Sequence, residues 1–472
     1  MPPVSQSCPG PRPLPDRGHN TATRGGLRLR PGAAARTLFD VWEEDVVVRE
    51  LAPSEARFVR HGTYTGRSVV ARGELEIDAL RAAFTALQRE YPVLVCRIGE
   101  DGAGGGWLLR SIGYMGAWVQ PGDIDEVRIP PEPMNPRHQL AYLDIAPGEG
   151  GTRVTLFVHH AVADAGHCVA LFVRLWQHYT ERVHPESVTD GATAVVPHEL
   201  PQSLEYYAVR RGARRSAISG LEEVIVPLSP ADTALPLDPP EPAPPTIARP
   251  ERVLLDAAST EHIIAVGRHY GVSVNGLVTA ALLRAYAAGR GEAENGAATK
   301  GPIPLTCVYP VDLRNRFDPP VAAQEGTNMA GLAGFSADIG PGTGFVALAK
   351  RIAARLNHDL AEGVIQQSVL HFPEFFGPHR VHSTAGHVAI TNTGRVPELP
   401  TPPGLTLSDY EIVYVSAHPR PSTGSSAAVT FLVYTFADRL CVGILGGGSA
   451  AARLPRAVSR ELSTLASEPI DA

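Results

Sequence analysis

The sequence predicts a mixed α/β fold in two lobes, each a mixed sheet flanked by helices. At 472 residues the chain exceeds what one hydrophobic core usually serves. A proline-dense stretch divides it near its middle, and helical and strand periodicities mix in similar proportion on both sides, with no repeat between them. The hydrophobic fraction of 44% is ample for packed cores. A formal net charge of -7 gives no sign of a polyanion binder, so no nucleic-acid partner is expected; a neutral or amphipathic small molecule, or a protein, fits better.

The chain opens with a tail, residues 1–36, rich in Pro, Gly and Arg and without an apolar signal-peptide core. It reads as disordered, or as the product of a start codon placed too early. The first lobe is expected over residues 37–225. Within it Leu80, Phe84 and Leu87 form one helical stripe, with Asp78 at the cap and Tyr91-Pro92 at the exit. Strands follow around Val93–Ile98 and Trp107–Ser111, separated by the loop Gly102–Gly106. A hairpin comes next, from Leu140–Ile145 through the glycine-rich turn Pro147–Gly151 into the alternating run Val154–Val158. Val169, Phe172, Trp176 and Tyr179 then recur at helical spacing.

Residues 226–251 carry prolines at a density that no helix or central strand survives, so an extended linker is expected there. The second lobe, residues 252–472, begins with a strand at Arg252–Leu255. One helix capped by Ser259 stops at Gly271, and a second opens at Ser273. A strand at Pro304–Pro310, a helix at Phe345–Leu360, and a hairpin of Val429–Phe436 with Leu440–Leu445 around Ala437-Asp438-Arg439 follow. A last helix starts at Pro455.

Five cysteines (Cys8, Cys96, Cys168, Cys307, Cys441) are scattered without C-x-x-C spacing. They read as buried thiols of a reduced, cytoplasmic protein, not as disulfides or a zinc site. No stretch is apolar and long enough to span a bilayer.

The stretch carrying chemistry is His159-His160-Ala161-Val162-Ala163-Asp164-Ala165-Gly166-His167, set between the strand and the helix. A histidine at a strand end is held by the sheet yet faces open space, which suits a general base, and a nearby carboxylate locks the loop or fixes a ring tautomer. That combination points to acyl transfer. Metal binding competes with it, but adjacent strand residues point to opposite faces, so His159 and His160 are poorly placed to chelate one ion. A structural histidine pair, a Ser/His/Asp triad and a base without covalent enzyme intermediate remain; the triad is weakened by the lack of a G-x-S-x-G elbow. Cys168 is better read as core packing on the helix than as a nucleophile.

A resemblance separates these readings. His-His-x-x-x-Asp-Gly resembles the motif of the condensation-domain-like acyltransferases. The segment Tyr309-Pro310-Val311-Asp312-Leu313-Arg314-Asn315-Arg316, with Gly326-Thr327-Asn328 and Ile390-Thr391-Asn392-Thr393-Gly394, resembles the phthiocerol/phthiodiolone dimycocerosyl transferase (polyketide-associated acyltransferase) family within that set. The resemblance spans roughly Phe39 to Ala466. It implies two chloramphenicol-acetyltransferase-like lobes around a central tunnel. His160 would be the general base, His159 an orienting residue, and Asp164 a structural residue pairing with Arg314. Asn328 and Asn392 would line the pocket or hold a crossover over the site, with Ala165 and Gly166 near the substrate. Ala165 departs from the pattern by replacing the motif glycine; it is strained only if the backbone there needs positive φ.

The resemblance also implies a monomer with no metal and no bound cofactor. An acyl group would pass from acyl-CoA, or from the phosphopantetheine of an acyl carrier protein, to a hydroxyl of a small-molecule natural product. The basic run Arg210-Arg211-x-x-Arg214-Arg215 is either a solvated helix face or a contact for an acidic carrier or a phosphate. Formation of an amide, and a non-catalytic carrier-binding module, are the competing readings.

Overall fold

The computed structural model describes residues 46–100, 106–111, 116–130, 134–187, 196–229, 241, 243–295, 301–340, 342–376, 388–420, 429–447 and 451–470, the side chains of 290–295 excepted. The expected tail at 1–36, Cys8, most of the Gly102–Gly106 loop and the interior of the linker lie outside these residues. Residues Val41–Ala472 form one compact unit.

Strand β1 (Val47–Glu50) leads through a helical turn at Pro53–Ala56 into β2 (Thr63–Arg72) and helix α1 (Ile77–Glu90). Leu80, Phe84 and Leu87 are buried as the stripe requires. Asp78 does not cap it; Glu76 stands at the cap without a side-chain bond, and Asp78 lies in the first turn. Pro92–Val95 is a 3-10 turn rather than the start of a strand, because Pro92 fits the first helical position. The strand there, β3 (Arg97–Glu100), begins later and is followed by β4 (Gly106–Leu109) and β5 (Ala117–Val119). The hairpin forms as expected, with β6 (Ala141–Gly148) and β7 (Gly151–His159) joined by a tight turn in which Gly150 has φ +78°. Helices α2 (Ala165–Val183) and α3 (Leu204–Arg210) complete the first half.

The described part of the linker is extended and contributes one short strand, β8 (Thr246–Ala248), before β9 (Glu251–Leu254). Helix α4 (Ala257–Tyr270) is capped by Asp256, whose carboxylate accepts the Ser259 N–H at 2.7 Å; Ser259 is inside the helix, a correction to its expected role. Gly271, at φ +64°, ends it in the left-handed conformation. Helix α5 (Val274–Asn295) opens behind Ser273, whose hydroxyl accepts the Gly276 N–H at 3.1 Å. Strands β10 (Ile303–Asp312) and β11 (Ala330–Ile339), helix α6 (Phe345–Ala361) and helical turns through Phe375 follow. Strands β12 (Val388–Arg395), β13 (Thr406–Ser416), β14 (Val429–Phe436) and β15 (Arg439–Gly446) and helix α7 (Leu454–Leu465) finish the chain. Ala437 and Asp438, at φ +46° and +60°, make the two-residue turn between β14 and β15.

Two six-stranded mixed sheets result, in the orders β5-β6-β7-β2-β13-β8 and β11-β10-β12-β14-β15-β9, beside a small sheet β1-β4-β3. β8 lies at a sheet edge, where a proline-rich segment is tolerated. The lobes expected as 37–225 and 252–472 are not cleanly separated in sequence, because β13 from the second half lies in the first sheet, antiparallel to β2. A buried charge network holds it there. Glu411 accepts from Arg153 on β7 and from Arg249 in the linker, both at 2.9 Å. No described helix is long and apolar enough to cross a membrane.

Candidate active site

Strand β7 runs between β6 and β2 with nearly every residue buried, so its last residue is fixed on both sides. The His159 N–H donates to the Leu140 carbonyl at 2.8 Å and the His160 N–H to the Thr63 carbonyl at 2.8 Å. The chain then turns, with the Val162 N–H on the His159 carbonyl at 3.0 Å, and enters α2 at Ala165.

That turn brings the Ala163 carbonyl to 2.8 Å from His160 Nδ1. A carbonyl only accepts, so Nδ1 carries the proton and Nε2 holds the free lone pair. Nε2 has no hydrogen-bond partner among the described residues. The half-buried ring packs on Phe58 at 4.4 Å and faces Tyr414 of β13 at 5.9 Å. Burial pushes its pKa down to about 4; the Ala163 hydrogen bond opposes this, and the charges of Arg57 and Arg67 add to it. His160 is therefore an uncharged imidazole of defined tautomer at neutral pH.

His159 points elsewhere. Its ring meets Tyr64 edge-on at 5.0 Å, and Nδ1 accepts the Ala161 N–H at 3.3 Å. Fully buried, it is held neutral, with its pKa far below the ordinary value because of desolvation. The two imidazoles diverge as adjacent strand residues should, and no group of three or more His, Cys, Asp or Glu among the described residues is placed to hold a metal.

Asp164 is the N-cap of α2. Its Oδ1 accepts the His167 N–H at 2.9 Å; its Oδ2 accepts Arg314 Nη1 at 2.6 Å and the Met329 N–H at 2.8 Å. Burial alone would raise its pKa, but Arg314 and the two backbone donors outweigh that and hold it below the usual carboxylate range. Arg314 itself is buried, and its Nη2 donates to the Thr327 carbonyl at 3.0 Å. It is not a surface arginine. The carboxylate thus ties α2, the turn after β10 and the start of β11 into one joint beside His160.

Ala165 is the first residue of α2 and is not among the residues with positive φ, so a side chain there carries no strain. Its carbonyl accepts Arg67 Nη2 at 3.2 Å. Gly166 also has no positive φ, and a Cβ there would make only ordinary contacts with Asp164 and Asp312. Asn328 joins the site through its amide, which donates to the His160 carbonyl at 3.0 Å. Asn392 does not. It is exposed on β12 and bonded to Asn275 at 2.8 Å, so the segment resembling a crossover stays in the second sheet, and β13 is the strand that crosses. Cys168 is buried in the core, with its thiol pushed up to about 12, which removes it as a nucleophile. Phe58, Tyr414 and the Ala163 carbonyl were not singled out in the sequence: Phe58 and Tyr414 reach His160 only through the tertiary fold, and the Ala163 contact depends on how the loop turns.

The family model described as the C-terminus of phthiocerol/phthiodiolone dimycocerosyl transferase matches residues 244–445. The phthiocerol/phthiodiolone dimycocerosyl transferase of Mycobacterium leprae (strain TN) is 34% identical over 380 residues, 77% of this chain and 85% of its own. Among solved structures, polyketide synthase associated protein 5 from Mycobacterium tuberculosis is similar with a TM-score of 0.71 and 30% identity, over 90% of this chain and 99% of that one. The first condensation domain of the CDA synthetase shares the fold, with a TM-score of 0.60 and 15% identity over 91% and 98% of the two chains.

Proposed function

Since the chain belongs to the phthiocerol/phthiodiolone dimycocerosyl transferase family and is thereby an acyltransferase, we propose that it moves an acyl group from a thioester to a hydroxyl of a lipid or polyketide acceptor, with His160 as general base. The hydrogen bond from His160 Nδ1 to the Ala163 carbonyl carries this reading, because it leaves Nε2 as a proton acceptor on an uncharged ring. Nε2 takes the proton of the acceptor hydroxyl as its oxygen bonds to the thioester carbonyl carbon, and the carbonyl electron pair moves onto its oxygen. That pair returns, the C–S bond breaks, and the thiolate takes the proton back from Nε2. Ester and free thiol result, with no covalent enzyme intermediate, no metal and no cofactor beyond the donor thioester.

Asp164 and Arg314 act structurally in this reading, His159 packs behind the base, and Asn328 holds the backbone of His160. Ala165 and Gly166 line the approach to the base, in a tunnel between the two sheets. The protein acts as a cytoplasmic monomer. The donor thiol is CoA or a carrier-bound phosphopantetheine. For the carrier, Arg210, Arg211 and Arg214 remain an exposed basic surface, whereas Arg215 already faces Glu374.

The test is thiol release by the purified protein from a panel of acyl-CoA, acyl-pantetheine and carrier-bound thioesters with alcohols, beside a folded His160→Ala variant. Histidine-dependent release with ester found by mass spectrometry is the expected outcome. Turnover retained in His160→Ala removes the general-base role, and amide formed in preference to ester removes the hydroxyl acceptor. Silence with every donor points instead to a carrier-binding module.

A further inference from the structure

One charged side chain near His160 lies outside the motifs quoted above and, among the described residues, has no hydrogen-bond or ion-pair partner. Arg57 follows the helical turn Pro53–Ala56, and its guanidinium carbon lies 4.6 Å from the Phe58 ring centre, 4.9 Å from Phe372 and 4.8 Å from Phe376. The last two rings come from the second half of the chain, so both halves build the cage. Phe58 in turn packs on His160 at 4.4 Å. Rings stacked on a guanidinium engage its faces and leave its N–H edge unused.

Among the described residues the Arg57 side chain has no hydrogen bond and no ion pair, and its Nε is buried without an acceptor. Its neighbours share the unpartnered Nε but differ in bonding through Nη. Arg49 Nη1 is paired with Glu55 at 2.7 Å, and Arg314 Nη1 with Asp164 at 2.6 Å. Arg67 donates to the Thr65 hydroxyl at 2.7 Å. Glu205, which attracts Arg57 through space, is occupied by the Ser54 N–H and hydroxyl at 2.8 and 2.7 Å. Burial lowers the pKa of Arg57 to about 10, so it is still a cation at neutral pH. Of the charges acting on His160 it is the strongest, ahead of Arg67 and Asp164.

A half-buried cation with spare donors costs stability unless something opposes it. Glu205 opposes it only through space, and the reaction assigned to His160 generates a negative oxygen next to that ring. We propose that Arg57 is a further catalytic residue, donating an N–H to the thioester carbonyl oxygen as negative charge collects there. The inference rests on the acyl-transfer reading above. In the resting site the same cation disfavours a charged His160, which keeps the base ready; at the tetrahedral stage it offsets the oxyanion. The groups facing His160 are Arg57 from the turn before β2, Arg67 from β2, His159 from β7, Asp164 at the start of α2 and Tyr414 from β13.

The experiment compares wild type, Arg57→Met, Arg57→Lys and His160→Ala for kcat, KM and the pH dependence of kcat/KM, with thermal melts to establish folding. Arg57→Met is expected to lower kcat by about 100- to 1,000-fold with KM little changed. Its acid limb should move to higher pH, because loss of the cation lets the imidazolium form more easily. Arg57→Lys, which keeps the charge without the fork, should retain the wild-type limb and part of kcat. If Arg57→Met does not fold, Arg57→Gln is read in its place for the same two quantities. A folded neutral variant with wild-type kcat and an unmoved acid limb overturns the proposal, as does a rise in KM alone, which would mean recognition of a substrate anion. Turnover surviving in His160→Ala overturns the base reading instead and leaves the kcat of the Arg57 variants to decide this one. Silence of the wild type with every donor removes both.

Discussion

Arg314 Nη1 lies 2.6 Å from Asp164 Oδ2 across a separation of 150 residues, and both side chains are buried. The pair joins the loop that carries His160 to the strand pair β10 and β11 of the second sheet. The same carboxylate oxygen also accepts the Met329 N–H at 2.8 Å. It is a fastening between the two sheets, set next to His160.

Removing one half of this fastening leaves the other buried and uncompensated. Asp164→Ala should lower the unfolding free energy by about 3–5 kcal/mol, read as a shifted urea midpoint. Adding Arg314→Met should recover part of that loss, because the orphaned charge disappears with it. An Asp164→Ala protein with an unchanged midpoint and no activity would show that Asp164 acts directly on the substrate.

The rate should be flat through neutral pH and should fall as pH drops through about 4, where His160 takes a proton. Stability should decline over a wider range. His61, His160 and His167 are each lowered by burial from 6.5 to about 4, and His159 further. A depressed histidine binds its proton more readily unfolded, so these groups stabilise the fold above 6.5 and lose that contribution as pH falls toward 4. Urea midpoints across this range check the sign. His167→Phe should flatten the decline, since neither ring nitrogen of His167 has a partner among the described residues.

Restoring glycine at the motif position should not help. Ala165 sits at the first position of α2 without positive φ. Ala165→Gly should therefore leave kcat near wild type and cost up to about 1 kcal/mol of stability, measured by activity and by urea unfolding on one preparation. A large gain in kcat would mean that the substrate needs the space of the missing methyl.

Asn328 offers a milder perturbation of the base. Its amide holds the His160 carbonyl at 3.0 Å without touching the ring. Asn328→Ala should lower kcat by ~10- to 100-fold through misplacement of the imidazole, leaving the acid limb where it is. A shifted limb instead would show that Asn328 tunes the protonation of His160.

Much of this molecule was readable from its residues in order. The stripe of α1, the hairpin of β6 and β7, the spans of α6 and of β14, and the left-handed glycine after α4 all follow from contacts within a few positions of the chain. So does the placing of His160 and Asp164 in one short loop between β7 and α2. The misjudged caps, Asp78 and Ser259, erred by two and three residues, where several polar side chains stand close together at the helix start.

What tertiary structure decided is which distant residues stand opposite that motif. The ladder between β13 and β2 puts Tyr414 near His160 and Glu411 on Arg153, while Asn392 stays exposed in the other sheet. Helical turns of the second half supply two of the rings around Arg57. Side chains alternate along a strand, so a register shift of one residue would turn each of these strand-borne groups to the opposite face. Register is set by the packing of whole sheets, which spacing along a single chain does not encode. The sequence determined the loop that carries His160 and Asp164; the assembled tertiary structure determined the rings and side chains that surround it.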